Sequence, residues 1–266
     1  MTNKNVLITG CTSGIGYELV KQYAKNDYNI VLVARNYNKL IKLQDELQSE
    51  FHIKTYIIEK DLTQVGAAED VYNKVKELNL SIDIVCNNAG TGLYGSFEEH
   101  TLKQYNDMIH LNITSLMELT YYFIKDMMKA NSGRILNIAS TGSFVPGPYM
   151  AVYYATKAFV LSFSEAIAME LKDTNISVTC VCPGPTKTEF FQKATDKDVN
   201  LLENMKAMTS KEVAEYAYKK VEKRSILGIT GFKNKLAIFG NRFISRKVSR
   251  KIIYNIQYNR GKSKIK

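Results

Sequence analysis

Apolar residues gather in short runs near 5–9, 29–34, 53–58, 82–86, 134–139, 176–182 and 225–229, and the longer stretches between them repeat apolar positions at helical spacing. Strand-length runs alternating with helical segments predict a mainly parallel sheet with helices on both faces. Right-handed crossovers would then bring every strand-to-helix loop to one edge of the sheet, where such sheets bind ligands. No repeat or low-complexity linker divides the 266 residues, so one domain spanning 1–266 is expected.

Two local patterns carry chemistry. The first strand, Asn5 to Thr9, runs into Gly10-Cys11-Thr12-Ser13-Gly14-Ile15-Gly16 and then into an amphipathic stretch from Tyr17 to Asn26. Glycines let the backbone turn tightly and approach a ligand, and a following helix offers unpaired N–H groups and a positive dipole end to a pyrophosphate. The spacing is G-x-x-x-G-x-G, which differs from the commoner G-x-G-x-x-G. Tyr153 and Lys157 stand one helical turn apart and share a helix face. A free phenol has a pKa of about 10, and a neighbouring cation lowers it, so the pair can form a proton donor that works at neutral pH. Tyr154, three residues before the same lysine, is its rival.

With these go Asp61-Leu62 after the third strand, Asn87-Asn88-Ala89-Gly90 after the fourth, Asn112 on a helix, Ser140 after the fifth strand and Pro183-Gly184 after the sixth. From Thr9 to Thr188 the chain resembles the short-chain dehydrogenase/reductase family. The resemblance implies a Rossmann-type, doubly wound, seven-stranded α/β fold and NAD(P)-dependent interconversion of a carbonyl and a secondary alcohol. Tyr153 would be the acid, Lys157 would lower its pKa and hold the nicotinamide ribose, Ser140 would hydrogen-bond the substrate oxygen, and Asn112 would position a water leading to Lys157. Gly10, Thr12, Ser13, Gly14, Ile15 and Gly16 would form the phosphate turn, with Asp61 and Leu62 at the adenine. Asn88, Ala89 and Gly90 would run along the ribose and nicotinamide side, and Pro183, Gly184 and Thr188 would lie near the carboxamide. Asn87 is expected to brace strands, and plainer roles stay open for Asp61 in a turn and Thr188 at a helix start. A homodimer or homotetramer paired through the helices of Asn112 and Tyr153 is also implied. The glycine spacing and Asn87-Asn88-Ala89-Gly90 favour this group over the extended epimerase and dehydratase relatives. A sensor that binds NADP(H) without reducing anything is the second reading, and retention of all four catalytic groups argues against it.

The second strand ends in Ala34-Arg35. Ala34 cannot offer a carboxylate to the ribose hydroxyls, whereas the Arg35 guanidinium suits a 2′-phosphate, so NADP(H) is expected over NAD(H). The glycine turn holds Ser13 where many NADP-dependent relatives carry a basic residue. Candidate substrate walls are Gly92-Leu93-Tyr94, Phe144 to Met150, and Phe190 to Met208, largely apolar and aromatic. They point to a hydrophobic fatty-acyl, steroid-like or other lipid ketone, unless those side chains simply pack the loops.

Composition is that of an ordinary soluble domain, 45% hydrophobic and 23% charged, with no apolar run long enough to span a bilayer. The first strand begins within a few residues, which leaves no room for a secretory signal. Cys11, Cys86, Cys180 and Cys182 lack zinc or redox spacing, and His52, His100 and His110 form no cluster, so buried thiols, a reducing, cytoplasmic setting and no metal are expected. Charge is distributed unevenly. Residues 225–266 hold eleven basic residues and no acid against a formal net charge of +10 for the chain, which leaves −1 for 1–224. Phe239, Phe243, Ile244, Val248, Ile252, Ile253 and Ile256 interleave with Arg242, Arg246 and Arg250, the pattern of a basic amphipathic helix. Such a helix can lie on an anionic membrane, here the inner face. It can equally cap the substrate pocket or an oligomer contact, or end in a disordered tail. No nucleic-acid motif accompanies the charge.

Overall fold

The computed structural model describes residues 4–190, 194 and 207–262. Residues 191–193 and 195–206 of the expected substrate wall, and 263–266 of the basic tail, lie outside the described residues. The strands are β1 (Asn5–Thr9), β2 (Asn29–Ala34), β3 (Thr55–Glu59), β4 (Ile84–Asn87), β5 (Gly133–Ile138), β6 (Ile176–Cys182), β7 (Thr186–Lys187), β8 (Met208–Thr209) and β9 (Leu227–Ile229). Seven of them form one parallel sheet in the order β3-β2-β1-β4-β5-β6-β9, as the seven apolar runs predict. The separate β7–β8 pair was not expected, because two residues per strand are too few to leave a periodic signal.

Successive strand residues point to opposite faces, and here both faces are apolar. Val6, Ile8, Ile30 and Leu32 join one core cluster, while Leu7, Val31 and Val33 join the other. The first face is covered by α1 (Gly14–Ala24), α2 (Tyr37–Glu50) and α7 (Ser210–Glu222) through side chains such as Leu19, Leu43 and Val221. The second is covered by α3 (Ala67–Glu77) and α5 (Ser115–Ala130) through Val71, Val75, Leu119 and Phe123, with Ala168 of α6 (Ala151–Glu170). The short helix α4 (Leu102–Ile109) starts with a reciprocal cap between Thr101 and Gln104, and α7 starts with the same device between Thr209 and Glu212.

β1 lies between β2 and β4, so the chain diverges to left and right at their carboxyl ends and leaves a crevice there. A buried polar brace holds the crevice's far wall. Asn87 Nδ2 donates to Asn137 Oδ1 (2.9 Å) and Thr120 Oγ1 (3.1 Å), and Asn137 Nδ2 donates to Ser164 Oγ (2.9 Å). This ties β4 and β5 to α5 and α6, the bracing role expected of Asn87.

The basic tail forms α8 (Phe232–Asn241) and α9 (Arg246–Lys262). Their inner side chains, Ala237, Ile238, Ile252, Ile253 and Ile256 among them, line the crevice. Of the alternatives open for this segment, residues 237–257 contribute to covering the pocket. No described helix is long and apolar enough to cross a membrane.

Candidate active site

The crevice is a cleft of about 1130 Å³, large enough for a dinucleotide and a second molecule beside it. Every residue expected in a catalytic or cofactor role lines it except Gly16 and Asn112, and of the expected substrate walls Leu93, Val145, Met150 and Phe190 line it while Gly92, Tyr94, Phe144 and 146–149 do not. Gly16 packs underneath, since a Cβ there would sit 2.2 Å from the Gly10 carbonyl oxygen. Gly10 itself turns with φ of +63°, the left-handed region that glycine enters freely. Asn88 clamps this turn by donating from Nδ2 to the carbonyl oxygens of Thr9 (2.9 Å) and Gly10 (3.2 Å), while Thr9 Oγ1 accepts from the amides of Asn88 and Ala89. The asparagine's side chain therefore shapes the loop and leaves its backbone to face the cleft.

Helix α1 begins at this turn, and Ser13 gives it no side-chain cap, whereas Asn36, Thr101 and Thr209 cap α2, α4 and α7. Its leading residues Ser13, Gly14 and Ile15 border the cleft, so the donors a pyrophosphate needs are in place. Arg35 extends from the end of β2 into the same wall, exposed and without a hydrogen-bond or ion-pair partner among the described residues. Lys60, not singled out in the sequence, borders the cleft beside Asp61 and also pairs with Asp70 at 3.0 Å. Asp61 Oδ1 accepts from the Thr63 amide and hydroxyl, and Thr188 Oγ1 accepts from the Phe190 amide, so both keep a local turn role while lining the cleft. These residues fit a dinucleotide phosphate backbone.

At the other end of the cleft stand Ser140, Tyr153 and Lys157. Ser140 opens a short 3-10 turn, and its Oγ accepts from the Gly142 amide at 3.0 Å. Its side chain also hydrogen-bonds Tyr153. The Lys157 ammonium is buried, donates to the Ile138 carbonyl at 2.8 Å and lies 6.0 Å from the Tyr153 ring centre. Burial dominates both groups: it lowers Lys157 from 10.5 to about 8 and raises Tyr153 above its usual 10, the Ser140 hydrogen bond pulling the phenol slightly back. Burial thus sets both values, and the Lys157 ammonium is directed at a backbone carbonyl.

Asn112 lies in a turn of π-helix, His110–Thr114, just before α5, and is fully buried. Both its Nδ2 protons are engaged, by the Thr91 carbonyl (2.9 Å) and Thr156 Oγ1 (3.0 Å), and its Oδ1 accepts from the Thr91 amide. The side chain therefore fastens the loop after β4 to α6.

Sequence reasoning allowed for a cover but not for its anchor. Gln257 on α9, buried, donates from Nε2 to Tyr154 Oη at 2.6 Å, and its carbonyl accepts from Tyr94 Oη at 2.7 Å. Tyr153 instead packs against Phe190, with ring centres 5.2 Å apart, and against Tyr154. The two neighbouring tyrosines are thereby sorted, one held by the cover and one beside Ser140 and Lys157. A contact across 103 residues has no local sequence signal.

The family model for short chain dehydrogenase matches residues 4–199. An uncharacterised oxidoreductase of Staphylococcus epidermidis is 31% identical over 189 residues, covering 71% of this chain and 80% of its own. A 7beta-hydroxysteroid dehydrogenase of Mediterraneibacter gnavus is 27% identical over 233 residues, covering 87% of this chain and 88% of its own. Among solved structures, a short-chain dehydrogenase from Sphingobium yanoikuyae in complex with NADPH superimposes with a TM-score of 0.81 at 30% identity, covering 90% of this chain and 93% of that one.

Proposed function

Because this chain belongs to the short-chain dehydrogenase/reductase family and is an NAD(P)-dependent oxidoreductase, we propose that it uses NADPH to interconvert a bulky hydrophobic ketone and its secondary alcohol. The reading rests on one observation: Ser140, Tyr153 and Lys157 meet in the same cleft as the uncapped start of α1 and the unpaired Arg35. When bound, the nicotinamide supplies or accepts the hydride. The chain's residues handle charge and proton. Ser140 Oγ and Tyr153 Oη point their hydroxyls at the developing alkoxide, and Tyr153, kept protonated by burial, delivers the proton. Lys157 holds the ribose and carries the positive charge that steadies the phenolate once the proton has left. Asn112 keeps the Thr91 loop and α6 in register beneath them.

NADPH preference is supported by Arg35, by Lys60 in the same wall, and by the NADPH complex among the similar structures. The substrate class is supported by apolar cleft residues Leu93, Val145, Met150, Phe190, Ile253 and Ile256, and by the hydroxysteroid dehydrogenase relative. A sensor that reduces nothing would not need the buried ammonium of Lys157. The test is a steady-state comparison on one bulky cyclic ketone. We expect kcat/KM with NADPH to exceed that with NADH by about tenfold or more, and Arg35→Ala to erase most of that ratio, since a lost guanidinium–phosphate pair is worth about 1.5–3 kcal/mol. Equal values for the two coenzymes in the unaltered protein would overturn the assignment.

A further inference from the structure

Helix α8 presents opposite sides to two different surroundings. Asn234, Ala237, Ile238 and Asn241 line the cleft. At about 100° per residue, Phe232, Leu236 and Phe239, with Phe243 just past the helix end, fall on the reverse side. These four are 79%, 60%, 56% and 75% exposed, and the Phe239 and Phe243 rings lie 5.2 Å apart, so the stripe is continuous. The same helical spacing puts Lys233 on one flank and Lys235 and Arg242 on the other. Exposed Arg246, Lys247, Arg250 and Lys251 continue the charge along α9, with no acid from 225 to 262.

An apolar stripe between basic flanks is the arrangement of a helix lying in the interface of an anionic bilayer. A protein partner would account for the phenylalanines but not for uniform positive charge, and a nucleic acid would account for the charge but not for the phenylalanines. We propose that α8 and the start of α9 dock this protein on an anionic phospholipid bilayer, with Phe232, Leu236, Phe239 and Phe243 among the acyl chains and the basic residues against the phosphates. The inference is independent of the assigned reaction. It places the cover of the cleft at the membrane surface.

The full-length chain is sedimented at low salt with vesicles of phosphatidylcholine alone and with vesicles of phosphatidylcholine and phosphatidylglycerol in equal amounts. The bound fraction is expected to be about tenfold or more higher on the anionic vesicles and to fall as salt is raised. Two variants separate the contributions: F232S/F239S/F243S for the stripe and R242Q/R246Q/R250Q for the flanks. Each should weaken binding by about tenfold or more while circular dichroism and NADPH affinity stay unchanged, because all six positions are exposed and none is among the catalytic groups. No binding, equal binding to both vesicles, or variants that bind like the unaltered chain would each overturn the proposal. Sedimentation velocity without lipid reads the competing occupant. A dimer that separates in F232S/F239S/F243S while vesicle binding persists would make the stripe a contact between copies and also overturn it.

Discussion

Lys157 is a buried ammonium whose environment opposes its charge. Burial brings its pKa from 10.5 to about 8, which at 1.36 kcal/mol per unit amounts to about 3 kcal/mol against folding at neutral pH. That cost is what remains with the hydrogen bond to Ile138 in place. Lys157→Met should therefore abolish turnover yet stabilise the cofactor-free protein by about 2 kcal/mol in urea unfolding at pH 7. The pH dependence fixes the sign. The folded-state pKa is lowered, so the cost is full below about 8 and fades between 8 and 10.5, where the unfolded chain binds more protons; stability of the unaltered protein rises across that window and the variant's advantage shrinks. A variant less stable than its parent at pH 7 would contradict this account. The adjacent tyrosines give a second prediction at this scale. Tyr153→Phe should lower kcat for ketone reduction by about 10²-fold or more, whereas Tyr154→Phe, which removes the hydroxyl that Gln257 holds, should leave kcat within a few-fold. The reverse pattern would transfer the acid role to Tyr154. These residues were legible in the sequence through spacing alone. Their ionisation was not, because it depends on burial and on where the ammonium points.

At the scale of elements, local order made most of the architecture readable. Each apolar run became a strand, and the glycine turn, Asp61-Leu62, Asn87 to Gly90, Ser140 and Pro183-Gly184 all came to strand ends on one edge. What could not be read are pairings between distant segments. The fastening of Asn112 to Thr91 and Thr156 is one case, and the seating of α9 on Tyr94 and Tyr154 is another. The amphipathic tail was visible as a pattern, but its partner was not, since periodicity identifies a face without identifying what covers it. The seat of α9 is testable. Gln257→Ala removes a donor to the half-buried Tyr154 hydroxyl, at a cost of about 1 kcal/mol. We expect KM for a bulky ketone to rise about fivefold or more while kcat stays within about twofold, because Gln257 makes no contact with Ser140, Tyr153 or Lys157 among its described hydrogen bonds. A loss confined to kcat would mean that α9 acts on the reacting groups themselves.

Across the whole molecule, charge and function divide along the chain. Residues 1–224 come to −1 and hold the glycine turn, Ser140, Tyr153 and Lys157, and the family match ends at 199, while all the excess positive charge lies in 225–266 with the two covering helices. The root of those helices is tied to the wall after β6, where the Gly184 amide donates to Thr230 Oγ1 at 3.2 Å, directly before α8 begins. The cover is thus hung on the same wall as Ser140 and Tyr153 yet written in a different stretch of sequence, so changes in residues 232–257 can reshape what enters the cleft without touching that wall.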